Sequence, residues 1–373
     1  MITLYYIVLF LSFIYLLFFI YLSFGHYKHR YYNKKSTYTN FSIIVAARNE
    51  EQHIARLCEI LTSQNYPIDH YEIIIVDDRS EDSTLHLLTK LTSKSNLHIF
   101  KVKDFINEKQ YSNLIGKKRA LQIAIDNAKY EYLAFTDADC LPSEEWLNEI
   151  NKHIDDKTDF IAGYSPLIYK RPSIIDTFKS FERMSIFALT SASFGHNIPM
   201  TCTARNMVYR KSNFINAGGF SKIGHIKSGD DDLMLLLQRK LTNKHSFMFS
   251  QNSIVPSIED KTISEHHQQE IRRASKLKYY PAYLKTIVLS VAIFYFLLLL
   301  LFLFSVLGLA KWNIFLVVFL IKTIADAALI ITWQIKMKLY NNILLLPFME
   351  LFYIPYFLFY GLKGTFGAYK WKN

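Results

Sequence analysis

The chain has 373 residues, room for one or two domains, with 51% hydrophobic residues, 29 Phe, 25 Tyr and a formal charge of +11. Its three cysteines, Cys58, Cys140 and Cys202, are scattered and odd in number, which excludes a disulfide framework or a cysteine metal site and fits reduced thiols in a cytoplasmic compartment. The positive charge gathers beside apolar runs, not as a nucleic-acid footprint, so anionic lipid headgroups are the expected partner and nucleic acid is not.

Ile2 to Phe24 carries no charged side chain. At about 1.5 Å per residue it can cross a hydrocarbon core of roughly 30 Å. A cleaved secretory signal would need basic residues before a shorter apolar stretch. Here they follow, in HYKHRYYNKK (26–35), so residues 1–25 are expected to form an uncleaved transmembrane helix.

Residues 40–280 read as a globular domain long enough for one substantial core. FSIIVAARNE (41–50) is a short apolar strand that stops at a polar turn, and EEQHIARLCEILTSQ (50–64) is a helix with Ile54, Leu57, Ile60 and Leu61 on one face. YEIIIVDDRS (71–80) is a second strand ending in acids, followed by a helix at STLHLLTKL (83–91) and a strand at LHIFKV (97–102). GKKRALQIAIDNA (116–128) is a third helix, and YLAFTDAD (132–139) is a further strand. This alternation predicts a mostly parallel, doubly wound α/β sheet. Such sheets bind ligands beyond the carboxyl ends of their strands, which directs attention to Arg48, Glu50, Asp77, Asp78, Asp137 and Asp139. The glycine fingerprints of dinucleotide and P-loop sites are missing.

Two readings compete for the close pair Asp137 and Asp139. They hold a hard divalent cation, or they form a solvated turn that caps the next helix. In SGDDDLMLLLQRK (228–240), Asp230, Asp231 and Asp232 are either favourable charge at a helix N-terminus or a carboxylate poised as a general base. HHQQEIRRASK (266–276), within an interfacial helix near 262–280, faces either lipid or phosphate oxygens. Residues 284–373 form a C-terminal membrane region of two to three helices, from Thr286–Ala310, Trp312–Trp333 and Ile343–Leu362. Pro347, Glu350 and Pro355 leave the last of these open between a full span and an interfacial or re-entrant segment. Lys322 and Asp326, at i and i+4, can pair on one helix face and also suit a transporter. Basic clusters beside the runs place the globular domain on the cytoplasmic side of a multi-pass protein of the inner or plasma membrane.

Seven segments in order, SIIVAARNE, IIIVDDRSED, GKKRAL, AFTDADC, ARNMVYRKSNFINAGGF, SGDDDL and QEIRR, make the chain resemble the family 2 glycosyltransferases. The likeness is to the membrane-bound branch related to cellulose, chitin and hyaluronan synthases. It covers roughly residues 40–280. It implies a GT-A-like doubly wound mixed sheet, a nucleotide-diphosphate-sugar donor with UDP as the expected carrier, and Mg²⁺ or Mn²⁺. It also implies inverting transfer of a hexose or N-acetylhexosamine to a lipid-linked or cell-envelope glycan.

By position, the resemblance has Ala46, Arg48, Glu50 and Asp78 cradle the nucleoside and sets Lys117 beside the nucleotide pocket. Asp137 then faces ribose or donor and shares the metal with Asp139, Asp230 is the catalytic base, and Gln269 and Arg272 match the Q and R of Q-x-x-R-W. Arg273 replaces the Trp of that motif, and SGD stands where the family has TED. Ala204 and Arg205 take the place of the family Gly before Asn206, which points to altered donor-pocket contacts. These departures favour single transfer over a processive synthase and exporter working with partner subunits. A maker of lipid-phosphate sugars stands third. A transporter or an inactive scaffold is the reading from another class.

Overall fold

The computed structural model describes residues 1–29, 37–91, 95–105, 107–155, 158–241, 244–259, 262–339 and 343–367. The strands are β1 (Phe41–Ala47), β2 (Tyr71–Asp77), β3 (Leu97–Lys101), β4 (Tyr132–Phe135), β5 (Phe160–Gly163), β6 (Leu167–Ile168), β7 (Met207–Arg210), β8 (His245–Met248) and β9 (Ser257–Ile258). The helices are α1 (Ile2–Ser23), α2 (Gly25–Lys28), α3 (Ile54–Thr62), α4 (Thr84–Lys90), α5 (Lys117–Asn127), α6 (Trp146–His153) and α7 (Ile174–Gly195), then α8 (Lys211–Asn216), α9 (Asp232–Gln238), α10 (Ile263–Ser275), α11 (Ala282–Val306), α12 (Trp312–Met337) and α13 (Leu346–Phe366). They divide into two compact units. One is Met1–Lys28, Pro172–His196 and Asp260–Asn373; the other is His29–Arg171 and Asn197–Glu259. Within 40–280, α7 and α10 therefore group with the apolar helices and not with the sheet.

The sheet unit is built on seven strands in the order β3-β2-β1-β4-β7-β5-β8. β1 is parallel to β2 and β4, and β2 to β3, as the alternation of strands and helices predicts. β7 runs antiparallel to both β4 and β5, which makes the sheet mixed. Ile43, Ile44, Val45 and Ile73 to Val76 are fully buried, because a central parallel strand is covered on both faces and every position is apolar. α3 buries Ile54, Leu57, Cys58 and Leu61, so Cys58 stands in the core where Ile60 was expected. The chain moves outward from β1 through β2 to β3 and then returns to β4 on the other side of β1. The switch point therefore lies between β1 and β4, where the ends of neighbouring strands open a crevice.

A buried histidine gives this unit an acid sensitivity. His153 Nδ1 lies 2.7 Å from Ser246 Oγ, and burial, followed by His29 and Lys152, pushes its pKa down to about 3. An unfolded histidine takes a proton near pH 6.5, so below that pH the unfolded state binds more protons. Stability is therefore complete above about pH 6.5 and declines toward pH 3, by at most about 1.4 kcal/mol per pH unit for this group. Thermal unfolding at pH 7 and pH 4.5 is expected to show a smaller fall in Tm for His153→Gln than for the parent; an equal fall would refute the assignment.

In the helical unit, four helices are long and apolar enough to cross a membrane: Ile2–Lys28, Ala282–Val306, Trp312–Met337 and Ile343–Phe366. The last continues through Pro355 and has spanning length. Val8, Tyr15, Phe294, Leu298, Val318 and Ile354 share one apolar core. A polar knot sits within it. Lys322 Nζ donates to Asp326 Oδ2 at 2.7 Å and also meets Glu350, while Tyr15 Oη donates to Asp326 Oδ1 at 2.7 Å and lies 3.1 Å from Tyr295 Oη. The expected i, i+4 pair is thus present, with a second acid drawn in from α13.

Candidate active site

The first wall of the site is made where β1 and β2 end. Ala46 is in register with Val76 and Ala47 with Asp77, and the chain then turns through Asn49 and Arg79, both at positive φ (54° and 57°). Asn is among the residues that tolerate this conformation best, because its amide bonds to nearby backbone. The two turns are stapled together. Asn49 N donates to Ser80 Oγ at 3.1 Å and Glu81 N to Asn49 Oδ1 at 2.8 Å. Glu50 N donates to Thr84 Oγ1 at 2.7 Å, and Ser83 N to Glu51 Oε2 at 2.9 Å. Arg48, Glu50 and Asp78 are thereby carried on one rigid wall, with Ala46 at its base. Asp78 is buried and pairs with Arg79 Nε at 3.1 Å.

β4 stops at Phe135, four residues short of the strand expected over 132–139. Asp137 and Asp139 lie in the turn that follows, closed by Cys140 N donating to Asp137 O at 3.1 Å. Ile258 N donates to Asp139 O at 2.9 Å, and Ser257 Oγ to Asp139 Oδ2 at 3.2 Å, so β9 holds the second acid in place. Burial, reinforced by Asp139 and Asp137, pushes the Cys140 thiol well up; it is a packed neutral thiol and not a ligand.

Two cations converge on these acids. Lys117, the first residue of α5, hydrogen-bonds Asp137 and lies 3.8 Å from Asp230 Oδ2. Arg205 places Nε 3.5 Å from Asp137 Oδ2 and Nη2 3.8 Å from Asp139 Oδ2. Burial alone would lower the Lys117 pKa, but the carboxylates of Asp137 and Asp230 outweigh it and raise it. Burial alone would likewise raise that of Asp137, yet Lys117 and then Arg205 hold it below the usual carboxylate range. The side chains of Asp137 and Asp139 remain 27% and 18% exposed, enough to meet a ligand.

The three acids at the start of α9 divide their work. Asp231 caps the helix by accepting from Asp232 N at 2.7 Å, and buried Asp232 accepts from Leu233 N at 2.8 Å. Asp230 faces Lys117 instead. Its loop is held by Lys118, whose Nζ donates to Ile226 O at 2.6 Å and Ser228 O at 2.8 Å. Gly229 has φ of 88°, and a Cβ there would come within 2.4 Å of a Leu233 side-chain carbon, so only glycine fits beside Asp230.

Lys117, Asp137, Asp139 and Asp230 are thus brought together, while Ala46, Arg48, Glu50 and Asp78 line the same edge of the sheet. Gln269 and Arg272 belong to α10 of the helical unit. Arg273, beside them, is engaged with Glu182 and with Glu270 Oε1 at 3.2 Å. Reading the sequence by motif missed Arg205 and Lys118. The signal for Arg205 was the departure from glycine before Asn206; Lys118 looks like any helix-surface lysine until its carbonyl partners are seen. Asn206 itself is structural. Its Nδ2 donates to Tyr164 O and Ser253 O, and its Oδ1 accepts from Trp146 Nε1.

Among the described residues, no three His, Cys, Asp or Glu side chains gather closely enough to hold a metal by themselves. Two partly exposed carboxylates in one turn nevertheless fit a hard divalent ion such as Mg²⁺, which commonly takes one or two carboxylates and completes its shell with substrate phosphates and water.

Residues 42–216 match the family model described as glycosyl transferase family 2. The chain carries a family 2 glycosyltransferase domain. Lys117, Asp137, Asp139 and Arg205 fall inside the matched segment of the glycosyltransferase domain, and Asp230, Gln269 and Arg272 beyond it. The poly(ribitol-phosphate) beta-N-acetylglucosaminyltransferase TarS of Staphylococcus aureus is 30% identical over 116 residues, which are 31% of this chain and 19% of that protein. Glycosyltransferase AglE of Haloferax volcanii is 27% identical over 199 residues, 52% of this chain and 60% of that one. The chain thus spans less than two thirds of the length of these curated relatives. The mannosyltransferase PcManGT from Pyrobaculum calidifontis, solved with GDP-Man and Mn²⁺, shares the fold at a TM-score of 0.57 and 16% identity, over 97% of this chain and 98% of that one.

Proposed function

We propose that this chain is a membrane-embedded, inverting glycosyltransferase that moves a sugar from a nucleoside diphosphate carrier, with UDP the expected carrier, to a hydroxyl of a lipid-linked or envelope glycan. The observation that carries this reading is the convergence of Asp137, Asp139 and Asp230 on Lys117 and Arg205 at the switch point of a family 2 domain. The relatives support it in kind: TarS is named for transfer to poly(ribitol-phosphate), and PcManGT was solved with a nucleotide sugar and Mn²⁺.

In this reading the wall formed by Ala46, Arg48, Glu50 and Asp78 receives the nucleoside. The acceptor hydroxyl gives its proton to Asp230 as its oxygen bonds to the anomeric carbon. The bond from that carbon to the phosphate oxygen breaks on the opposite face, and the nucleoside diphosphate leaves with the bonding electrons. Lys117, already beside Asp137, steadies the charge that develops on the leaving group. A divalent ion held by Asp137 and Asp139 would supply Lewis-acid stabilisation to the same phosphate. Single transfer is favoured over polymerisation, because Arg273 replaces the Trp of the resembled Q-x-x-R-W motif and is itself ion-paired with Glu182 and Glu270. The mutual pairing of Lys322, Asp326 and Glu350 supports a structural part for these groups over a transport path. The catalytic face is cytoplasmic in this reading, following the basic residues beside the spans.

The test uses the purified full chain in detergent, a panel of UDP- and GDP-sugars, Mg²⁺ or Mn²⁺, and a membrane-lipid extract as acceptor. Release of nucleoside diphosphate from one donor, abolished by chelation, is expected. No release from any donor under these conditions would overturn the reading.

A further inference from the structure

In the sequence Arg205 shows only as a departure from the family glycine before Asn206. The residue that follows it, Asn206, is firmly anchored. Asn206 N donates to Thr203 O at 3.3 Å, Gly163 N donates to Asn206 O at 2.9 Å, and the Asn206 side chain is fixed by three further bonds. The Arg205 side chain is 9% exposed, so it is committed to the site. Yet its nitrogens stand 3.5 and 3.8 Å from Asp137 and Asp139, well beyond the roughly 2.7–2.9 Å of a closed arginine–carboxylate bond. The guanidinium shares the charge of both acids without being closed on either. Lys117, by contrast, is bonded directly to Asp137.

A fixed cation in this position has two effects. It repels a divalent ion approaching the same carboxylates, so the bare site holds free metal poorly. It also matches a diphosphate, because the planar guanidinium presents paired donors to phosphate oxygens. A diphosphate at the site adds negative charge that offsets both Arg205 and the incoming ion. Metal and nucleotide should then each improve the other's binding, since such coupling is reciprocal.

We propose that Arg205 is a resident cation of the Asp137–Asp139 pair that makes metal binding depend on the nucleotide. Its role is positioning: it acts through the two acids and the diphosphate. The inference rests on the proposed nucleotide-sugar reading, and its test separates the two.

Mn²⁺ binding to the purified full chain is followed by electron paramagnetic resonance, alone and with UDP or GDP. The parent is expected to bind Mn²⁺ weakly alone and roughly 5- to 150-fold more tightly with the accepted nucleotide, the ordinary range of coupling. Arg205→Gln is expected to bind Mn²⁺ alone more tightly, by about tenfold, and to lose most of the coupling. Arg205→Lys keeps the charge and is expected to retain the weak metal binding of the parent; it provides the second variant should the glutamine protein fail to fold. Parent and Arg205→Gln binding Mn²⁺ alone with equal affinity would overturn the role of Arg205 and leave the glycosyltransferase reading intact. Parent protein that binds Mn²⁺ with neither nucleotide present nor absent would overturn both. A purely structural Arg205 would lower Tm without changing the ratio of the two metal affinities.

Discussion

Replacing Asp230 by asparagine is expected to lower kcat by about 10²–10⁴-fold, the range for losing a general base, while donor affinity stays within roughly threefold. Asparagine keeps the shape of the side chain but cannot accept the acceptor's proton. The local fold has no reason to change. Lys118 still holds Ile226 and Ser228, Asp231 and Asp232 still cap α9, and Lys117 keeps its bond to Asp137. Steady-state release of nucleoside diphosphate measures kcat, and calorimetric titration measures donor affinity. Turnover close to that of the parent would remove Asp230 from the role of base and turn attention to the neighbouring acids.

Asp139→Ala is expected to reduce turnover by about 10²–10³-fold, as the loss of several kcal/mol of charge stabilisation at the leaving phosphate requires. Excess Mn²⁺ should not restore it, because the missing group is a ligand and not a matter of occupancy. The change should lower stability modestly. Asp139 contributes a side-chain bond to Ser257 at 3.2 Å and compensates buried Arg205 at 3.8 Å, while the bond that joins its carbonyl to Ile258 N is backbone and survives. Full activity restored by high Mn²⁺ would show that Asp137 holds the ion alone.

The first half of the sheet unit was legible because its elements are local. Continuous β-branched runs such as Ile73 to Val76 alternate with helices of clear period, and the positions of the acids follow from where those runs stop. The last four residues of the expected strand over 132–139 were lost to the turn, where Asp139 is fastened by Ser257 and Ile258, more than a hundred residues away. β7 was illegible as an antiparallel strand for a similar reason: Met207 to Arg210 is four residues long, and its direction is set only by pairing with β4 and β5. The acids of 228–240 read in the sequence either as caps or as a base; Asp231 does cap α9, and it takes the positive φ of Gly229 to set Asp230 apart from its neighbours. Arg205 could not be found from its type, since an arginine before a strand is ordinarily a surface charge. It takes the turn of Asp137 and Asp139 to make it part of a site.

The polar knot among the apolar helices bears on how the protein is made. Lys322 and Asp326 sit one turn apart on α12, so that helix can form with its two charges already neutralising each other. Glu350 is carried by α13 and meets the same lysine only once that later helix has been synthesised. The order of synthesis thus becomes an order of assembly, in which α12 serves as a template and α13 is registered against it by one carboxylate. Tyr15, on α1, closes on Asp326 across more than three hundred residues.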